Sequence, residues 1–524
     1  MKGSATQTGT QRYRERQERR GISPSGYRVL GRTGWTTSVV GFGCYRIEET
    51  TPSHRLALEH ALSEGCNLID TSTNYGDGSS ELCVGHAMTN LFGSSKLQRD
   101  EVILISKVGY VQGQNLNNAK EREAKGNAYP EMVKYAEGCW HCIHPEFIKT
   151  QLSQSLDRTS QRQLDVYLLH NPEYFFSDAL NRSTNLDLKK LRQEFYRRIR
   201  AAFEQLETEV AEGRIQAYGV SSNTLGHSPE DPQATSLEEF WKIAEEISQD
   251  RYGDTNAHHF SVIQFPMNLF EGGAILTMNQ GNPANKTVLD FAIEKDLGVI
   301  TNRPLNAIIS NQMVRLADFP IEPVSTSLEE ALHRVTLLEQ EFLSTIASVI
   351  RTHEGSSPAS SFFRWGRELS RPELKEVPLE HWSHLEKDVI LPQVHEVISA
   401  LNQHFENSPA VWESWRDRYL PQLRILFSVV RKECAQKSHK VRETISQRLN
   451  DFLPSNTQPQ SLSQRSLSVL ANTRGVTCVL NGMREIRYVN DSLGIFSIPP
   501  FLVKKELYES FQQAKQQITK SAST

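Results

Sequence analysis

The chain has 524 residues, 38% hydrophobic and 23% charged, with a formal net charge of -4. That is a globular composition with length for a large core and a second unit; it carries no basic excess pointing to nucleic acid and no apolar run near the ~20 residues of a membrane span. Seven cysteines, an odd number scattered from Cys44 to Cys478, suit free thiols in a reducing compartment, so a cytoplasmic location is expected.

Residues 1–26 are polar, with Arg and Gln runs, and read as a flexible tail. An organellar transit peptide is the alternative for this stretch, against which Glu15 and Glu18 sit among the arginines. From residue 27 two signals alternate. Short apolar, β-branched runs come first: "TSVVGFG", "CNLID", "VILISK", "LDVYLLH", "IQAYGVSS", "SVIQFP" and "LGVITNRP". An eighth, "GVTCVLNG", follows only near residue 480. Such runs mark strands buried on both faces. Helix-period stretches separate them, at "SHRLALEHALSEG", His144 to Leu156, Lys190 to Ala211, Leu237 to Ile247, Val288 to Lys295 and Leu462 to Leu470. Eight such repeats predict an α/β chain folded as a (β/α)8 TIM barrel. A doubly wound sheet would want G-x-G-x-x-G after its first strand, and none occurs there.

Two insertions interrupt the pattern. Residues 111–138 are polar and charged, and belong to the loop after the third strand. Just beyond them Cys139 and Cys142 form a C-x-x-C beside His141 and His144. No second ligand pair stands at zinc-finger spacing, so packed thiols and imidazoles are expected there and no metal. The larger insertion spans residues 311–460, after the seventh strand. Leu328, Leu332, Val335, Leu338, Phe342 and Ile346 recur at helical spacing, and Ser327 with Glu330 reads as a capping box. Ile390, Val394, Val397, Leu401 and Phe405 form a second stripe; Trp412, Trp415, Tyr419, Leu423, Leu426 and Val430 form a third. A helical subdomain is predicted, its aromatic stripe packing as core, with a lid over the pocket or a surface for a protein partner as the other readings. The barrel is expected over 27–310 and 461–505, with a C-terminal tail at 506–524.

In barrels of this kind chemistry sits at the C-terminal ends of the strands. Asp70 ends the second predicted strand, Lys107 the third and His170 the fourth, and Tyr75 follows Asp70 by five residues. A free phenol has a pKa near ~10, too high for acid–base work at neutral pH, and a nearby ammonium lowers it. A buried ammonium needs a carboxylate. Asp70 can therefore hold Lys107, Lys107 can tune Tyr75, and His170 can orient or polarise a substrate oxygen. That assembly protonates a carbonyl oxygen while hydride reaches its carbon.

With these residues in place the sequence resembles the aldo-keto reductase family. "YRVLGRTGWTTSVVGFGCYRI" is similar to its opening hairpin and first strand, and "LSEGCNLIDTSTNYGDGSSELCVGHAM" to its Asp–Tyr segment. "VILISKVGY", "LDVYLLHNPE" and "GRIQAYGVSS" resemble the following strands in order, and "RGVTCVLNGMREIRYVNDSL" the final cofactor-binding segment. The resemblance implies an NADPH-dependent carbonyl reductase or alcohol dehydrogenase, NADH being the other possible cofactor, acting on a small carbonyl or alcohol. It implies Tyr75 as general acid, tuned by Lys107 and Asp70, with His170 orienting the carbonyl. It implies that Ser221 and Gln264 hold the nicotinamide carboxamide, Gly482 and Arg484 the adenosine phosphate, and Asp491 the adenine. Gly43, Cys44, Ser222, Asn302, Arg303, Pro304 and Leu305 are expected along the same cofactor. Tyr45, Tyr110 and Trp140 are expected, by position, to line the substrate pocket.

The sequence departs from the family in three places. Ser221-Ser222 replaces the usual Ser-Asn, with Asn223 one place on. Asn302, followed by Arg303, stands where the family carries an aromatic against the nicotinamide; Arg303 is expected near the pyrophosphate. Tyr488 replaces a 2'-phosphate arginine, with Arg484 and Arg487 close by. The departure at Asn302 and the insertion also allow a regulatory protein that senses nicotinamide and binds a partner through 311–460.

Overall fold

The computed structural model describes residues 3–183, 185–309, 312–318, 323–350, 359–371, 377–407, 409–457 and 460–522. Eight strands close into a barrel: Val40–Gly43, Leu68–Asp70, Ile103–Val108, Leu164–His170, Ile215–Ser221, Phe260–Pro266, Gly298–Asn302 and Cys478–Asn481. They follow the ring in chain order, and every neighbouring pair is parallel. This is the (β/α)8 barrel the sequence predicts. Every residue of Ile103–Val108 and Leu164–His170 is buried, as strands lined inside by core and outside by helices must be.

Register sets the level of the mouth. Gly43 pairs with Asp70, and Ser221 pairs with both His170 and Gln264. Gly43, Asp70, His170 and Ser221 therefore end their strands on one rim, with Gln264 level with them. The opposite end is closed by an antiparallel hairpin, Tyr27–Val29 with Thr36–Ser38. Leu30 and Trp35 from this hairpin, and Ala5 before it, join Leu68, Ile105, Leu168, Val262 and Ile300 in the interior core.

Residues 3–26, expected as a flexible tail, are instead built into this closed end. Gln7–Arg19 is a helix capped by the Thr6 side chain. Tyr13 is fully buried, its hydroxyl 2.7 Å from Leu62 O and 2.9 Å from Cys66 O. Arg12 and Arg16 both reach the buried carboxylate of Glu101. The arginines that made the segment look solvated are the counter-charges for a carboxylate brought in by the barrel. The C-terminal end is corrected in the same way. Lys505–Ala522 is a helix whose Leu507, Tyr508 and Phe511 are buried.

The chain divides into two compact units, 1–307 with 452–524, and 308–451. Within the second, helices Leu328–Thr345, Leu391–His404 and Ala410–Asn450 surround a core containing Val335, Phe342, Phe363, Trp382, Trp415 and Tyr419. The Trp412–Tyr419 stripe is interior to this core, each ring stacked on the next. Buried Glu339 accepts from the Tyr419 hydroxyl at 2.9 Å and from Gly366 N, so its carboxyl is not left unpaired. Among the described residues no helix is long and apolar enough to cross a membrane.

Candidate active site

Lys107 is the centre of the mouth and is fully buried. Its Nζ donates to Asp70 Oδ2 at 2.7 Å, to Thr71 O at 2.8 Å and to the Tyr75 hydroxyl at 3.3 Å. The three donors of an ammonium thus find three acceptors. Tyr75 arrives from the loop after the second strand, where Gly76, Asp77 and Gly78 all take positive φ. That tight turn folds the phenol back over the strand ends.

The charges oppose burial rather than simply cancelling. Desolvation raises the Asp70 pKa, and Lys107 and Gln264 pull only part of the way back. Desolvation, with Asp70 next, also holds the Tyr75 phenol well above its ordinary range. The sequence predicts that the ammonium lowers it; burial and the Asp70 charge raise it instead, and Tyr75 is a protonated phenol at neutral pH. His170 is held well below the usual imidazole range by burial, then by Lys107 and His141, and is neutral.

Asp70 has a second support. Gln264 Nε2 donates to Asp70 Oδ1 at 2.8 Å, while Gln264 Oε1 accepts from Ser221 Oγ at 2.8 Å and from Asn302 Nδ2 at 3.2 Å. Gln264 thus touches the Asp70–Lys107 pair directly and ties Ser221 and Asn302, also expected along the cofactor, to it. Gly43 and Cys44 lie on the same side, Cys44 N donating to Asp70 O at 2.9 Å. Ser222 is turned away, to Thr224 and Thr235. Pro304 and Leu305 are buried just beyond the seventh strand. Arg303 is ion-paired with Glu271 at 3.1 Å, so its charge is already balanced.

The last segment separates its basic residues. Arg487 pairs with Glu485 at 2.8 Å and lies over the Tyr488 ring. Arg484 is half-buried and has no ion pair among the described residues. A side chain at Gly482 would meet only open space. The Asp491 carboxylate accepts from Ser461 at 2.8 Å and from Ser463, at the start of the Leu462–Ala471 helix.

Of the three aromatics expected in the pocket, two stand over the tetrad. The exposed Tyr45 meets the Tyr75 ring edge-on at 5.2 Å, and Tyr110 meets the His170 ring at 4.7 Å. Trp140 takes its contacts from Lys120 and Lys134 instead, with no ring contact to the tetrad among the described residues. Its neighbour His141 takes the inner place. It is buried, lies 2.7 Å by Nε2 from His170 O, and its pKa is lowered by burial to about 4. The pairing of Tyr110 with His141 across two short strands puts it there. Of the rest of that cysteine–histidine cluster, the His144 side chain caps the Pro145–Thr159 helix, and Cys139 and Cys142 are free thiols. Sequence reasoning also passed over Ser72, Asn74 and Glu173. Glu173 is buried, accepts from Asn223 N at 2.7 Å, and is raised by burial to about 7.

The model of the Aldo/keto reductase family matches residues 39–372. The NADH-specific methylglyoxal reductase of Escherichia coli (strain K12) is 28% identical over 152 residues, 27% of this chain and 40% of that protein. Aldo-keto reductase family 1 member A1 of Mus musculus is 27% identical over 196 residues, 37% of this chain and 49% of that protein. The chain therefore spans about half the length, or less, of the curated relatives it matches. Among solved structures, an aldo-keto reductase from Bacillus halodurans in its holo form overlaps with a TM-score of 0.43 at 15% identity, covering 93% of this chain and 95% of that one. An aldo/keto reductase from Klebsiella pneumoniae, in complex with NADP and acetate, gives 0.41 at 15% identity, covering 94% and 95%. Since the family model takes in more than half of the residues, the chain belongs to the aldo/keto reductase family.

Proposed function

We propose that the chain is an NADPH-dependent oxidoreductase that moves hydride between nicotinamide and a carbonyl or alcohol, with Tyr75 as its general acid. The observation that carries this reading is the Lys107 ammonium, buried between Asp70 and the Tyr75 hydroxyl at the barrel mouth.

The residues present fit a nicotinamide cofactor. Asn302 Oδ1, Arg303 Nε and Thr73 Oγ1, on residues at or just past the strand ends, are buried polar atoms without a hydrogen-bond partner. Orphans of this kind are costly unless a polar ligand completes them. Ser221, Gln264 and Asn302 would hold the carboxamide, and Arg484, beside the open space at Gly482, the adenosine phosphate. Bound NADPH supplies the hydride.

The chain's own residues do the rest. Tyr75, kept protonated by burial, gives its proton to the carbonyl oxygen. Lys107 stabilises the phenolate left behind, and Asp70 and Thr71 O hold the ammonium in place. His170 orients the substrate oxygen, while Tyr45 and Tyr110 flank it.

The test is a carbonyl panel run with NADPH and with NADH. Tyr75→Phe should lower turnover by about 10²–10⁴-fold while NADPH binding, read by nicotinamide fluorescence, is unchanged. Undiminished turnover in that variant would remove this mechanism.

A further inference from the structure

The closed end of the barrel, opposite the mouth, holds a cavity of about 360 Å³. Arg28 lines it from the closing hairpin, Asp296 from the turn before the Gly298–Asn302 strand, and Asn472 and Arg474 from the run into Cys478–Asn481. The volume lies within the range of small-molecule sites. Arg28 is half-buried and burial works against its charge, yet it has no ion pair among the described residues. One of its N–H groups is used, Nη1 donating to Val476 O at 2.7 Å. Arg28 also lines a second cavity of about 20 Å³, room for one water, and no carboxylate meets it there. Arg474 is exposed on the rim and also has no ion pair among the described residues. It stands in a tight turn, with Val476 N donating to Thr473 O at 3.1 Å and Gly475 at a φ of 93°. The N–H groups of Arg474 and Gly475 make no hydrogen bond among the described residues. Asp296 is the acidic residue of the lining, and its charge also acts on Arg32 outside it. The cavity thus sets two guanidiniums against one carboxylate. A guanidinium partly withdrawn from water with open donors calls for an acceptor, and phosphate oxygens match its fork.

We propose that this cavity binds a small phosphate monoester bearing hydroxyls, such as a sugar phosphate, with its phosphate between Arg28 and Arg474 and its hydroxyls toward Asp296 and Asn472. A phosphate monoester carries about 1.5 to 2 negative charges at neutral pH, which suits two guanidiniums; a carboxylate carries one. Asp296 accepts from hydroxyls and repels a second anionic group, so the ligand has one charged end. The site is separate from the Asp70–Lys107 pair and does not depend on the reaction carried out there. Arg28 belongs to the closing hairpin and Arg474 to the approach to the eighth strand, so a bound phosphate ties these two segments together and should raise the melting temperature.

The test is titration calorimetry on the full chain without cofactor. Ribose 5-phosphate should bind more tightly than inorganic phosphate, and more tightly than gluconate, which has the hydroxyls but a carboxylate head. Arg474→Ala changes an exposed side chain and should leave the fold intact while weakening ribose 5-phosphate by about 10-fold or more, the effect of a charge-assisted hydrogen bond. Arg28→Lys keeps a donor for Val476 O but loses the fork, and should weaken it comparably. Arg484→Ala, beyond the eighth strand at the mouth end, should leave this binding unchanged, which separates it from phosphate binding at the candidate cofactor site. Wild-type binding of ribose 5-phosphate no tighter than about 1 mM overturns the proposal. So does an affinity that survives Arg474→Ala, or one that falls in Arg484→Ala. Gluconate bound as tightly as ribose 5-phosphate would remove the phosphate preference, and the proposed ligand with it.

Discussion

Removing the Lys107 ammonium leaves Asp70 as a buried carboxylate whose remaining side-chain donor is Gln264. Breaking a buried pair from one side costs about 3–5 kcal/mol, because the other charge is stranded. Lys107→Met should therefore destabilise the barrel by that amount in urea unfolding. Adding Asp70→Asn should recover most of it, since no charge then remains to strand. If the double variant is no more stable than Lys107→Met alone, Asp70 and Lys107 are not one electrostatic unit. Glu173 gives a pH signature. Its carboxyl rises from 4.5 to about 7 in the folded chain, so the folded state binds the proton more tightly than the unfolded one. The stability this confers is complete below pH 4.5 and is lost as pH rises toward 7. Against Glu173→Gln, the wild type should lose up to about 3 kcal/mol across that window and stay level above it. Parallel melting temperatures from pH 4.5 to 7 would show that Glu173 is not held protonated.

At the scale of the element, the Gln7–Arg19 helix makes a sharp prediction because it looked dispensable. Tyr13→Ala should cost about 3–5 kcal/mol in urea, for the cavity left by a fully buried ring and the lost hydroxyl contacts to Leu62 O and Cys66 O. An unchanged midpoint would mean that the helix does not hold to the barrel in solution. The contrast with the strands explains what the sequence made legible. A strand such as "LDVYLLH" carries its own signal, since both faces are buried and local composition must reflect it. Asp70, Lys107 and His170 were legible for the same reason, as ionisable residues ending apolar runs. The N-terminal helix was not, because what orders it is Glu101, some 85–89 residues away, and local composition cannot show a distant counter-charge. His141 was hidden likewise. Its place depends on an antiparallel pairing with Tyr110 formed across an intervening helix, Gly113–Ala124. Ser72 and Asn74 carry no local signal either, being small polar residues in a turn-rich stretch.

At the scale of the molecule, the second unit poses the remaining question. Residues 308–451 bury Trp365, Trp382, Trp412 and Trp415 against one another's helices, a core large enough to give a unit of its own. The first unit closes its barrel from eight strands that all lie outside that segment. Two such cores should unfold as two transitions rather than one. Replacing 308–451 with a short Gly-Ser linker should therefore leave a barrel that still binds NADPH. The isolated 308–451 segment should fold alone, with the blue-shifted fluorescence of buried tryptophans and its own urea midpoint. The effect on catalysis separates two roles for the segment. Loops that close over a site alter substrate binding and turnover, so a covering role would appear as a changed KM or selectivity in the linker variant. A role in binding another protein would leave both unchanged. A linker variant that fails to fold, together with a 308–451 segment that stays unfolded alone, would mean that the two cores are one cooperative body.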